Sequence, residues 1–291
     1  VSRGTPRVID RGDVLRKELD RERAAGRTVG LVPTMGALHP GHASLVRRSA
    51  AECDVTVVTI FVNPLQFAVG EDLSRYPRDL AADLALAGDA GAALVFAPPL
   101  EEMFPGGRSA TTVRVAGLSD GLEGASRPGH FEGVATVVAR LFNLAGPSRA
   151  YFGEKDFQQL AVVRRMASDL GMPVEVVGCR TVREADGLAW SSRNGYLSAE
   201  ERAAAPVLAR ALEAGAAAIG RDGQRHGGDV RRLMARVVAA EPLALLDYAE
   251  VVDADTLTAL DVVAPGTEVR LVAAAWIGGT RLIDNLGVTV P

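Results

Sequence analysis

Thr28-Val29-Gly30-Leu31-Val32 runs into Pro33-Thr34-Met35-Gly36-Ala37-Leu38-His39-Pro40-Gly41-His42, after which a helical pattern begins at once. An apolar run of strand length closes in a glycine-bearing loop and opens a helix, which is the first half of a βαβ unit with parallel strands. Open α/β folds bind ligands outside the carboxyl ends of such strands. A helix N-terminus attracts phosphate there through its free N–H groups and its dipole. Gly36 and Gly41 permit a backbone approach to a bulky anion that a Cβ would hinder. His39 and His42 lie three residues apart, so both imidazoles can face one phosphate across the first helical turn. Neither G-x-G-x-x-G nor G-x-x-x-x-G-K-[ST] occurs, so this loop is the cradle that the sequence offers a nucleotide.

The alternation continues on both sides of that loop. Residues 28–32, 55–62, 93–97, 150–152 and 174–179 read as strands, and residues 42–53, 80–90, 131–145 and 157–170 as helices between them. Residues 1–181 are therefore expected to form an α/β domain, a Rossmann-like parallel sheet. Beyond Thr181 the texture changes. Residues 199–219 and 229–240 read as helices, and residues 248–252, 268–276 and 281–286 as strands, with a tight hairpin turn at Gly278-Gly279. Residues 182–291 are expected to form a smaller α+β domain with a short antiparallel sheet, acting as a lid, with a mobile loop at 219–228.

The composition excludes several classes of function. At 291 residues, with 48% hydrophobic and 23% charged, the chain reads as a globular protein with a substantial core. A net charge of −4 without a basic run gives no footprint for nucleic acid. No stretch approaches the ~18 uninterrupted apolar residues of a membrane span, and the first ten residues contain no apolar signal core, so a cytoplasmic protein without a membrane partner is expected. Cys53 and Cys179 show no metal-ligand spacing and read as buried thiols. Only Lys17 and Lys155 among 32 basic residues are lysine, so a retained lysine marks a place where the planar arginine fork does not serve.

Four further segments carry candidate chemistry. Asn63 and Gln66 close the second strand with uncharged amides suited to a substrate bearing hydroxyl and carboxylate groups. Asp83, on the following helix, is a candidate Mg²⁺ ligand. Arg127 and His130 precede the helix at 131–145 and are candidates for closing over substrate. Gly153-Glu154-Lys155-Asp156 repeats the passage from strand through glycine to helix; Lys155 can reach phosphate oxygens, and Gln159, four residues on, is placed on the same helical face. Between the two halves, Ser191-Ser192-Arg193, with Trp190 before it, suits a mobile clamp on a triphosphate.

Together PTMGALHPGH, FVNPLQF, YPRD, RPGHFEGVATVV, FGEKDFQQL and VREADGLAWSSRNGYLS resemble the pantothenate synthetase (pantoate–β-alanine ligase) family of the nucleotidylyltransferase superfamily. The resemblance is dense from Thr28 to Leu197 and rests on length and order elsewhere. It implies that residues 33–42, that is Pro33, Thr34, Met35, Gly36, Ala37, Leu38, His39, Pro40, Gly41 and His42, wrap ATP, with His42 and His39 catalytic. It implies that Gly153, Glu154, Lys155, Asp156, Val182, Trp190, Ser191, Ser192 and Arg193 complete the nucleotide site, Lys155 and Arg193 as catalytic cations. Asn63, Gln66 and Gln159 would hold pantoate, Asp83 falls where the family places its magnesium aspartate, and a homodimer is expected. One departure is Trp190, where the family commonly has methionine before Ser-Ser-Arg.

The implied reaction is consistent with these residue types. A pantoate carboxylate with a pKa of about 4 is already ionised at neutral pH and attacks the α-phosphorus of ATP without a base. The β-alanine ammonium, with a pKa near ~10, must lose a proton before it attacks the acyl-adenylate, and the motifs contain no dedicated base. Three rivals share parts of the pattern: a nucleotidylyltransferase acting on a phosphate substrate, a class I aminoacyl-tRNA synthetase and a non-catalytic nucleotide sensor. The first would need several cations where this chain has Asn63 and Gln66, and the second is disfavoured by short length and acidic balance.

Overall fold

The computed structural model describes residues 4–68, 71–107 and 109–291. The chain divides into two compact units. Residues up to Glu154 together with Gln158–Arg180 form the first, and Lys155–Phe157 with Thr181–Pro291 form the second. The second unit thus includes three residues that lie, in sequence, between the last two strands of the first.

The first unit runs β1 (Arg7–Ile9), α1 (Gly12–Ala24), β2 (Val29–Thr34), α2 (Pro40–Glu52), β3 (Val55–Ile60), α3 (Leu80–Ala90), β4 (Leu94–Phe96), the short α4 (Leu100–Met103) and α5 (Glu123–Ser126), α6 (His130–Ala145), β5 (Ser148–Gly153), α7 (Phe157–Asp169) and β6 (Val174–Cys179). The six strands form one parallel sheet in the order β1-β4-β3-β2-β5-β6. Side chains alternate across a strand, and here both faces are covered. Leu31, Val57 and Phe96 point into one apolar cluster with Leu15, Phe142 and Leu160, while Val32, Val58 and Val95 point into another with Val46, Ala87 and Tyr151. The free thiols of Cys53 and Cys179 are buried in the second cluster.

Two elements, β1 and α1, escape the sequence reading. Three residues of strand carry no measurable period, and α1 buries only Gly12, Leu15 and Leu19 in thirteen residues otherwise dominated by charge.

The second unit packs α8 (Ala199–Ala204), α9 (Val207–Gly220) and α10 (Gly227–Ala239) with an antiparallel sheet of β7 (Ala244–Asp253), β8 (Glu268–Ile277) and β9 (Thr280–Thr289), in that order. Ile277 pairs with Thr280, so Gly278-Gly279 is the two-residue hairpin turn. The helix expected over 199–219 is divided at Ala205-Pro206, since Pro206 has no N–H to continue the ladder. The connection from α9 to α10, expected to be mobile, is tied down. Gln224 N–H donates to Ala218 O, Arg225 Nη2 to Pro291 O at 3.0 Å, and Gly227 N–H to Asp261 O.

Candidate active site

The strand order reverses at β2, because the chain passes from β2 to β3 on one side and later adds β5 on the other. The carboxyl ends of β2 and β5 therefore flank the crevice in which doubly wound sheets bind ligands. Pro33 and Thr34 end β2, residues 35–38 form the loop, and Gly153 and Glu154 leave β5.

The loop is built by a few specific contacts. Thr34 Oγ1 donates to Thr59 O at 2.6 Å and accepts from Gly36 N–H at 3.2 Å, which turns the chain off the sheet. Gly36 (φ 83°) and Ala37 (φ 50°) both occupy the left-handed region, open to glycine but strained for alanine. Asp83, 4% exposed on α3, holds that conformation by accepting from Leu38 N–H at 2.7 Å and Ala37 N–H at 3.1 Å. A Cβ on Gly36 would lie 2.8 Å from Asp83 Oδ2. Burial pushes the Asp83 carboxyl up from its ordinary value even though these two N–H groups favour its anion.

His39 is the N-cap of α2, with Pro40 in the first turn. Its Nδ1 accepts from Gly41 N–H at 3.2 Å, and His42 Nδ1 accepts from the His39 N–H at 3.4 Å, closing a capping box. The rings face each other with centroids 4.1 Å apart. An imidazole that accepts at Nδ1 carries its proton on Nε2, so both histidines present an Nε2–H donor beside a helix N-terminus. That arrangement suits phosphate oxygens.

The amide pair sits at the end of β3. Asn63, 2% exposed, caps the 3₁₀ turn Pro64–Gln66 by accepting from Leu65 N–H at 3.0 Å, and its Nδ2 donates to Gly133 O and to Gln66 Oε1, each at 3.0 Å. Asn63 thus fixes the turn and its neighbour, leaving the Nε2–H donors of Gln66 as the group to offer a substrate oxygen. Gln66 lines a cavity of about 780 Å³ with Phe67, Phe104, Arg127, His130 and Thr136.

Arg127 and His130 line this cavity, and their polar atoms hold protein groups. Arg127 forms a double hydrogen bond with Glu71 at 2.7 and 2.8 Å. His130 Nδ1–H donates to Gln66 O at 2.8 Å, and its Nε2 accepts from Arg127 Nη1 at 3.2 Å. Burial, with the adjacent guanidinium, pushes His130 down to about 4. Burial alone would raise the Glu71 carboxyl, and Arg127 overrides it and holds it below the usual range. The pair expected to close over substrate is in this structure the brace behind Gln66.

Gln159 is half-buried near the start of α7, and the shared helical face expected for it with Lys155 does not follow from helical spacing. Lys155 lies in a separate 3₁₀ turn, Glu154–Asp156, so the i, i+4 relation is broken. The neighbouring Gln158 is the buried amide, donating to Leu118 O and Gly121 O and accepting from Glu123 N–H. Glu71, Gly133 and Gln158 lie inside or beside the quoted motifs but receive no role from the sequence, since nothing local to them signals a partner so far along the chain.

In the second unit, Lys155 Nζ lies 3.6 Å from Asp156 Oδ1. Residues 182–190 fold back on themselves, with Trp190 N–H donating to Val182 O at 3.0 Å and Glu184 N–H to Leu188 O at 2.8 Å. Ser191 Oγ accepts from Arg193 N–H at 3.2 Å and caps the 3₁₀ turn Ser192–Tyr196. Arg202 on α8 anchors the base of this hairpin through Glu184 at 2.8 Å and Asp186 at 2.6 Å. Trp190 is half-buried. Among the described residues, no group of three or more His, Cys, Asp or Glu side chains gathers where a metal ion could be held.

Comparison with known proteins gives one consistent result. The family model described as Pantoate-beta-alanine ligase matches residues 7–287. Pantothenate synthetase from Moorella thermoacetica is 52% identical over 92% of this chain and 93% of its own length, and that from Rubrobacter xylanophilus is 54% identical over 92% and 94%. Among solved structures, pantothenate synthetase from Thermus thermophilus is similar with a TM-score of 0.91, 52% identity and coverage of 97% of this chain and 99% of that one. Pantoate-beta-alanine ligase from Francisella tularensis, complexed with beta-gamma ATP and beta-alanine, is similar with a TM-score of 0.78, 29% identity and 97% coverage of both chains.

Proposed function

The chain belongs to the pantoate–β-alanine ligase family, and we propose that residues 33–42 hold its ATP while Gln66 and Gln159 hold its pantoate, with Asn63 acting through Gln66, whose turn it fixes. It is an ATP-dependent ligase that condenses (R)-pantoate with β-alanine through a pantoyl-adenylate, giving pantothenate, AMP and pyrophosphate. The observation that carries the site assignment is the capping box of His39 and His42, two Nε2–H donors at a helix N-terminus beside the switch point of the sheet.

In the first half-reaction a pantoate carboxylate oxygen bonds to the α-phosphorus and the bond to the β-phosphate oxygen breaks. The carboxylate is already ionised, so catalysis rests on alignment and on charge stabilisation. His39 and His42 donate to the phosphates, and Lys155 and Arg193 add positive charge. Gly153, Glu154, Asp156, Val182, Trp190, Ser191 and Ser192 complete the nucleotide contacts. In the second half-reaction the β-alanine nitrogen bonds to the acyl carbon and AMP leaves. His130 is not the base for that step, because its Nε2 is occupied by Arg127 and the ring stays neutral down to about pH 4. The proton passes to solvent or to the departing AMP phosphate.

Asp83 does not fit a resident metal: both its oxygens accept loop N–H groups, and the residue is almost fully buried. Magnesium belongs in this scheme as the companion ion of the ATP phosphates, held by their oxygens and water. We assign the exclusion of water from the acyl-adenylate to residues 182–291 acting as a lid, and read the enzyme as a cytoplasmic homodimer, on the strength of the family resemblance. Mass detection of pantothenate and AMP from pantoate, β-alanine and MgATP tests the activity. Exchange of labelled pyrophosphate into ATP should require pantoate and fall about a hundredfold or more in His42→Ala. Exchange without pantoate would point instead to a plain nucleotidylyltransferase.

A further inference from the structure

Lys155 is gripped at its backbone by a residue 130 positions away. Asn285 Nδ2, on β9, donates to Lys155 O at 2.7 Å. The amide is oriented from its other end by Arg270 Nε, which donates to Asn285 Oδ1 at 2.7 Å, and the Arg270 guanidinium carbon lies 3.8 Å from the centre of the Phe157 ring. Arg270 and Asn285 thus clasp the segment Lys155–Phe157 on both sides of Asp156.

Asn285 and its β9 neighbour Asp284 also hold the hairpin at 182–190. Asp284 binds Arg183 doubly, at 2.6 and 3.0 Å, while Arg183 also donates to Asn285 O at 3.3 Å and to Gly187 O at 3.0 Å. Asp284 and Asn285 are each 5% exposed. A buried polar pair is costly unless every member is satisfied, and here the partners are the segment bearing Lys155 and the hairpin leading to Ser191, Ser192 and Arg193.

We propose that Asn285 is a positioning residue for Lys155, with Arg270 orienting it, and that Asp284-Asn285 sets the lysine and the 182–193 segment in one frame. This rests on the assignment of Lys155 to the phosphates above. The lysine ammonium ends a flexible four-carbon stem, so fixing the root of that stem decides where the charge can be delivered. A misplacement of about 1 Å from a site away from the chemistry can cost about a hundredfold in rate.

The test is a double-mutant cycle read by pantoate-dependent pyrophosphate exchange. Asn285→Ala should lower kcat about 10- to 100-fold with a smaller change in the KM for ATP. In a Lys155→Ala background the same substitution should cost less than about threefold, because the group it positions is gone. An equal loss in both backgrounds would mean a merely structural role and overturn the proposal. Arg270→Met, which removes the donor to Asn285 Oδ1, repeats the cycle should Asn285→Ala unfold. Lys155→Ala alone separates the two failures. An unimpaired rate sinks the assignment of Lys155, whereas an impaired rate with additive losses sinks only the role of Asn285.

Discussion

Asp83 accepts two N–H groups from the loop after β2, a task its sequence surroundings do not announce. An asparagine has one acceptor oxygen, so one of the two loop N–H groups would face its Nδ2 and be left unsatisfied, at a cost of about 1–3 kcal/mol. Asp83→Asn should therefore lower stability by about 2 kcal/mol in denaturant unfolding and depress exchange activity about tenfold. Saturating Mg²⁺ should not restore the rate; restoration would return Asp83 to the role of metal ligand. His130 gives a prediction with a definite sign. Its folded value of about 4 lies below the ordinary 6.5, so between those pH values the unfolded chain binds a proton that the folded ring refuses. Stability then rises with pH through that window and falls on acidification, by about 3 kcal/mol in all. Unfolding curves at pH 7, 5.5 and 4 should show this loss, and the His130→Gln protein should lack most of it. Parallel curves for the two proteins would refute the assignment. At this scale the loop of His39 and His42 was legible from its glycines and imidazoles alone. Glu71, which binds Arg127 across 56 residues, was not.

Helix α6 meets the turn Pro64–Gln66 at a glycine. A Cβ at Gly133 would stand 2.3 Å from Leu65 O and 2.7 Å from Gln66 N, both backbone atoms that cannot rotate away. Gly133→Ala should displace the turn bearing Gln66 and raise the KM for pantoate about tenfold or more, while the KM for ATP changes little. Steady-state kinetics with each substrate varied would check this, and equal rises in both would argue for general damage. The elements themselves were unevenly readable. The helix Leu80–Ala90 and the strand Val174–Cys179 have the limits their periodicity suggests. By contrast β1 and α1 were invisible, because a three-residue strand has no period and a charged helix with a narrow buried stripe resembles a solvated segment. Pro206 was in plain view, yet the apolar pattern on both sides of it suggested one continuous helix.

At the scale of the molecule, light scattering should give twice the chain mass of 30.5 kDa for the proposed homodimer, and a monomer at working concentration would remove that part of the proposal. The amino-acid sequence alone carried the parallel sheet followed by an antiparallel one, the glycine- and histidine-bearing loop between β2 and α2, and the class of reaction. Those features are written in short-range signals: the period of apolar residues, glycines at a turn, a cap beside a helix. The tertiary structure alone decided that Asp83 holds the loop, that Arg127 and His130 brace Gln66, and that Asn285 grips Lys155. Each of these is a contact between residues 45 to 130 positions apart. A hydrogen bond depends on distances and angles that no local pattern encodes, and so such partners become known only when the chain is folded.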